Sequence, residues 1–307
     1  MSAEIAVETA EATAVPAPAT GAVRHQQLLV TLYGLYSREP GSALPVATLI
    51  GLLGDLGYDA PGVRSAVSRL KSKGILRSTK RGGAAAYELS EDLQTVLAEG
   101  DQRIFSERRE DGVNEWVLAL FSVPETQRHL RHQLRSLLGD LGFGTVAAGV
   151  WIASAAVVGR TRELLAERGL DGFVEFFRGD YLFADTAEIR AKVATWWDLD
   201  AIDALMAEFL ADFGDAEEIW TRLVGGDPAT ALREATPEIC RDAFRYYIPM
   251  LTLWRRLPYR DPNLPLEYLP EGWKEPRARR AFVHTHRLIA PLAARHAQRI
   301  IGEHRAP

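Results

Sequence analysis

Along residues 60 to 73 the side chains that could meet an anion are cations or short hydroxyls. A helix advances about 100° per residue. That step turns Val63, Ala66, Val67 and Leu70 to one side and Arg64, Ser65, Ser68, Lys71 and Ser72 to the other, with Arg69 at the edge and Lys73 at the end. The outward side holds no acid, whereas an ordinary solvated helix mixes Glu with its Lys and Arg to gain i,i+4 pairs. A helix that enters a major groove needs donors for phosphates and base edges, and small residues that permit close approach. Taken alone, the pattern still allows a plain solvated surface.

The elements around it narrow the choice. Leu28, Leu29, Leu32, Tyr33, Leu35 and Tyr36 recur at helical spacing from His25 to Ser37, and Arg38-Glu39-Pro40-Gly41 breaks that helix. A second helix is expected from Pro45 to Leu56, burying Val46, Leu49, Ile50, Leu53 and Leu56, with Gly57 just past its end. Asp59 suits the N-cap of the third helix. Residues 75–80 then read as a strand, Arg81-Gly82-Gly83-Ala84 as a turn and residues 85–89 as the returning strand. Three helices and a hairpin predict a winged helix-turn-helix over residues 24–90, with Lys80 and Arg81 at the wing tip against a DNA backbone. A winged helix that binds protein is the alternative.

Charge agrees with that division. Residues 24–90 hold nine basic residues against four acidic ones, a net +5 in a chain whose total is −5. A basic module on an acidic body is expected when one part approaches phosphates and the rest does not. Residues 1–23, rich in Ala, Thr, Glu and Pro, read as a disordered tail, and residues 91–112 as a helical connector.

In the middle region, residues 113–184, the apolar run Trp116 to Val123 predicts a buried strand ended by Pro124. A helix with Leu130, Leu134, Leu137 and Leu138 inward follows. Next come a strand over 149–154, a helix over 159–168 and a strand over 173–177, with Tyr181-Leu182-Phe183 as a candidate continuation. This order, with room for one more strand, predicts a ferredoxin-like sandwich. His129 and His132 lie one turn apart, but no carboxylate stands near them at metal-ligand spacing, so no metal site is assigned. The chain shows no Gly-rich phosphate loop and no Gly-x-Ser-x-Gly elbow, so no catalytic residue and no cofactor is assigned either.

Residues 185–307 predict an all-helical C-terminal domain, and the class overall is α+β. The stretch 255–276, with Pro258, Pro262, Pro265, Pro270 and Pro276, is expected to be a fixed loop, followed by a helix from Arg277 to Glu303. Trp197, Arg245, Trp254, Arg255, Arg256, Arg260 and Trp273 form a candidate effector set, since guanidinium groups beside aromatic rings suit a phosphate-bearing ligand with a flat ring. A core of aromatics edged by solvated arginines reads equally from the same residues. The lone cysteine, Cys240, excludes a disulfide framework and reads as a buried apolar group in a reducing cytoplasm. No apolar stretch is long and charge-free enough to span a bilayer. A cytoplasmic protein is expected.

Three segments together resemble one known family: Gly62-Val63-Arg64-Ser65-Ala66-Val67-Ser68-Arg69-Leu70, Arg260-Asp261-Pro262-Asn263-Leu264-Pro265 and Leu269-Pro270-Glu271-Gly272-Trp273. They are similar to the PaaX-like repressors of phenylacetic acid degradation operons, and the likeness runs over nearly the whole chain after residue 23. The resemblance implies a homodimeric repressor that binds double-stranded operator DNA and is released by an aryl-acyl-CoA, typically phenylacetyl-CoA. It also implies a middle domain similar to small CRISPR-associated endoribonucleases, which carry an aspartate after their first strand. Here that position reads Phe121-Ser122-Val123-Pro124, without an acid. Nuclease activity is therefore not expected, and survival of RNA or DNA incubated with divalent metal checks this. A regulator of the same architecture responding to another acyl-CoA or to a free aromatic acid is the closer rival.

Overall fold

The computed structural model describes residues 25–39, 41–106, 115–182 and 185–303. The tail expected at 1–23, part of the connector and Phe183 lie outside the described residues. Apolar spacing sets the first helices: α1 (His25–Tyr36) buries Leu28, Leu29, Leu32 and Tyr33, and α2 (Val46–Asp55) buries Leu49, Leu52 and Leu53. Between them runs a two-residue strand, β1 (Leu44–Pro45). Pro45 therefore caps α2 and does not open it, a correction to the expected start. The third helix, α3 (Ala60–Ser72), begins at Asp59, whose carboxylate accepts from the Gly62 amide at 3.2 Å.

Strands β2 (Leu76–Arg81) and β3 (Ala84–Leu89) form the hairpin, and the sheet order is β1-β3-β2, all antiparallel. Its turn is only Gly82-Gly83, with φ of +55° and +80°, the left-handed pair that a tight hairpin turn requires. Arg81 thus ends a strand opposite Ala84 and is not part of the turn. Helix α4 (Glu91–Ile104) follows.

The middle elements are β4 (Trp116–Phe121), α5 (Arg128–Asp140), β5 (Gly144–Ala147), β6 (Val150–Ser154), α6 (Val158–Glu167) and β7 (Val174–Gly179). They make an antiparallel sheet of order β5-β6-β4-β7. This β-α-β-β-α-β order is that of the ferredoxin-like sandwich. The extra strand for which the sequence left room is β5, too short and exposed to announce itself. Tyr181 and Leu182 do not extend β7. One sheet face packs Val117, Ala119 and Ala153 against Leu134, Leu137, Leu138 and Leu165 of the two helices.

The C-terminal helices are α7 (Thr186–Trp196), α8 (Leu199–Phe213), α9 (Ala216–Val224), α10 (Pro228–Glu234), α11 (Pro237–Trp254), α12 (Leu257–Arg260) and α13 (Glu275–Glu303). The expected 255–276 loop is partly ordered into helix. Pro258 occupies the first turn of α12 and Pro276 the first turn of α13, where a missing amide costs nothing.

The chain condenses into two units that do not follow sequence order. The first joins residues 1–106, 209–254 and 278–307; the second joins 107–208 and 255–277. In the first, α1 packs along α11, and Thr252 Oγ1 donates to Thr31 Oγ1 at 2.8 Å inside that seam. His296 of α13, buried, meets the Asp55 carboxylate of α2 at 2.7 Å. In the second, the Trp196 ring contacts both Trp116 and Trp197 edge-on.

Candidate nucleic-acid interface

The expected split of α3 holds at every position assigned to it. Val63, Ala66, Val67 and Leu70 are at most 3% exposed, whereas Arg64, Ser65, Ser68, Arg69, Lys71 and Ser72 face solvent, as does Lys73 just past the helix. Burial of one face against α1 and α2 thus leaves the basic face as the only surface the helix can offer.

Partners sort these residues further. Arg69 donates to Ser65 Oγ at 2.8 Å, one turn back. Ser72 Oγ donates to the Ser68 carbonyl at 3.1 Å, and Lys73 Nζ to Gln26 Oε1 at 3.2 Å. Arg81 is half-buried and donates to the Ala43 carbonyl at 2.8 Å, tying the hairpin to β1. Arg77 is paired with Glu91 at 3.1 Å and Glu88 at 3.6 Å. Arg38 makes a two-point ion pair with Asp101. Arg64, Lys71 and Lys80 are exposed and form no ion pair or hydrogen bond among the described residues. The surface therefore presents three uncommitted cations, two on α3 and one on the hairpin, and a fourth, Arg69, held in a fixed direction.

The scaffold behind them includes residues that sequence spacing did not single out. Tyr33 donates its hydroxyl to the Tyr87 carbonyl at 3.0 Å, bracing the hairpin from α1, and burial raises its pKa far above the phenol range. The His25 ring stands edge-on to Tyr58, just before the α3 cap. These contacts join residues 33 to 54 positions apart, and no local pattern announces them.

The candidate effector set fares differently. Arg245 and Trp254 lie in the first unit; Trp197, Arg255, Arg256, Arg260 and Trp273 lie in the second. All three tryptophans are core residues with committed ring N–H groups. Trp197 donates to the Gly142 carbonyl at 3.0 Å, Trp254 to the Ile104 carbonyl at 2.8 Å and Trp273 to the Asp261 carboxylate at 2.9 Å. The cation over Trp254 is Arg279, 5.5 Å from the ring centre, which the sequence reading had not chosen. Arg245 and Arg260 are exposed, and Arg255 and Arg256 half-buried.

His129 and His132 are exposed on α5, and no group of three or more His, Cys, Asp or Glu able to hold a metal occurs among the described residues. Nor is any helix among them long and apolar enough to cross a membrane.

Comparison with known proteins gives a consistent pattern. Residues 24–93 match the family model for the PaaX-like protein, residues 109–191 the PaaX protein central Cas2-like domain, and residues 197–299 the PaaX-like protein C-terminal domain. The transcriptional repressor PaaX of Escherichia coli (strain K12) is 26% identical over 268 residues, covering 87% of this chain and 80% of that protein. Among solved structures, the uncharacterized protein Rv0674 from Mycobacterium tuberculosis aligns with a TM-score of 0.50 and 20% identity, over 90% of this chain and 98% of that one. At that identity the match bears on fold alone.

Proposed function

Because three consecutive matches show that the chain belongs to the PaaX-like repressor family, we propose that it is a DNA-binding transcriptional repressor, not an enzyme, whose residues 25–89 act as a winged helix-turn-helix. The observation that carries this reading is the acid-free outer face of α3, where Arg64 and Lys71 have no partner among the described residues while their neighbours are fixed. On this reading α3 enters the major groove, Arg64 and Arg69 reach base edges, and Lys80 lies against phosphate. Two copies of the chain place two such helices in major grooves separated by about one helical turn or a multiple of it.

Release follows from an effector that prefers the dimer geometry in which the two helices are misplaced. The proposed effector is an aryl-acyl-CoA such as phenylacetyl-CoA, the repressed genes being those for degradation of an aromatic acid. Support comes from the family and from the likeness to a transcriptional repressor. The test is fluorescence anisotropy of labelled DNA from upstream of the protein's own gene, at fixed salt. Tight binding released by phenylacetyl-CoA and not by phenylacetate is the expected result. Specific binding indifferent to both would keep the regulator and change the effector; absence of specific binding would overturn the reading. A thermal-shift panel of thioesters and free acids then separates phenylacetyl-CoA from other acyl-CoAs.

A further inference from the structure

The second unit contains a cleft of about 560 Å³, bounded by the end of β4, the first turns of α5 and the β5–β6 hairpin. Its walls include Phe121, Ser122, Arg131, Arg135, Thr145 and Trp151. The size suits a small organic molecule, whose pockets are commonly a few hundred to a thousand Å³ with few polar groups on an apolar lining.

The polar groups are arranged for negative charge. Arg131 and Arg135 stand four residues apart, on one face of α5. Arg131 is already fixed: it donates to the Val123 carbonyl at 2.8 Å and pairs with Glu125 at 3.0 Å. Arg135 is exposed to the cleft and has no hydrogen bond or ion pair among the described residues. Guanidinium binds carboxylate and phosphate oxygens in two-point fashion, and the Ser122 and Thr145 side chains add hydroxyl donors. Opposite them, the Trp151 ring is 7% exposed and shares the core of the sandwich, so it offers a rigid apolar wall.

The rim is held together at one residue. Gly149 has φ of +80°, and a Cβ there would lie 2.8 Å from the Phe121 carbonyl oxygen. The Phe121 amide donates to the Gly149 carbonyl at 2.9 Å, fastening the hairpin to β4. Any side chain at 149 must push these two edges of the cleft apart.

We propose that this cleft is a ligand site for a small oxyanion carried on an apolar body, with Arg135 taking the charge and Trp151 the apolar part. A free carboxylate and the phosphates of a thioester share that chemistry. The further step, that occupancy of the cleft is what releases operator DNA, rests on the repressor reading above.

Isothermal titration of the full chain with phenylacetyl-CoA, with coenzyme A and with phenylacetate tests it. At least one of the three should bind, and which one distinguishes phosphate from carboxylate recognition. Arg135→Glu should weaken that binding at least tenfold, Arg135→Lys should keep part of it, and Gly149→Val should weaken it through the rim. Failure of all three compounds to bind, or affinity unchanged in Arg135→Glu and Gly149→Val, would overturn the site. So would a parallel fall in ligand-free operator affinity of Arg135→Glu, which would place α5 on DNA. Ligand binding that depends on Arg135 in a chain that binds no operator keeps the site and removes the repressor reading. Operator release by the thioester that is unaltered in Arg135→Glu does the reverse.

Discussion

Arg64 and Lys80 are both exposed cations without partners among the described residues, yet they should fail differently when removed. On the proposed reading Arg64 projects from a helix that enters the groove, so Arg64→Ala is expected to cost about 1–3 kcal/mol of operator affinity and relax preference at one base position. On the same reading Lys80, on the hairpin edge, faces the DNA backbone. Its loss should weaken specific and non-specific DNA alike and reduce the slope of log K against log salt by about 1. Anisotropy titrations on operator and scrambled DNA at several salt concentrations check both. Trp273 illustrates the opposite kind of residue. Its N–H reaches the buried Asp261 carboxylate, so Trp273→Phe removes a charge-assisted bond and should cost about 1.5–3 kcal/mol of stability, read by urea unfolding. In the sequence, Trp273 and Arg64 were both candidate functional residues. The difference lies in burial: chemistry on α3 is announced by what the helix turns outward, whereas a tryptophan among prolines gives no sign of which way it faces.

At the scale of elements, α3 depends on its first turn. Asp59 supplies the side-chain cap, and three residues later Gly62 lies so close that an added Cβ would meet the Asp59 carboxylate at 2.6 Å and the His25 ring at 2.9 Å. Asp59→Ala should lower stability by about 0.5–2 kcal/mol by thermal or urea melts, and weaken operator binding by loosening the end of α3 that carries Arg64. Helices of this length were legible because their apolar residues repeat every turn: α3 buries all four residues its spacing named, while Leu35 and Tyr36 of α1, Val46 and Ile50 of α2 and Leu130 of α5 are only half-buried. Two strands were not. β1 is two residues long, and β5 has three of its four residues exposed, so neither carries an alternation that a reader could find. The cleft beside β5 was hidden for the same reason: nothing in the order of residues placed Thr145 or Gly149 beside Arg131 and Arg135.

Across the whole molecule, the compact units join segments that lie far apart in the sequence. The basic head shares its core with α11 and most of α13, through the Thr31–Thr252 bond and the His296–Asp55 contact, so the hydrophobic support of α1 comes from residues more than 200 positions later. A chain ending after Pro276 should therefore lack cooperative unfolding and operator binding, while Cys240, buried in the intact chain with its thiol pKa raised by that burial, should become quickly modified by thiol reagents. A truncated chain that still melted cooperatively, with a protected thiol and normal DNA affinity, would contradict the interleaved core.

That interleaving has a consequence for how the protein is made. The ribosome delivers α1, α2 and α3 first, but the side of α1 that packs along α11 stays uncovered until α11 has emerged, roughly ten seconds or more later at ordinary elongation speeds. During that interval the basic segment is held only by the contacts its own helices and hairpin make. An interrupted translation product is then a poor repressor from the outset, and proteolysis can clear it before it competes for operators. Completion of the last helix acts as the proofreading step for the first.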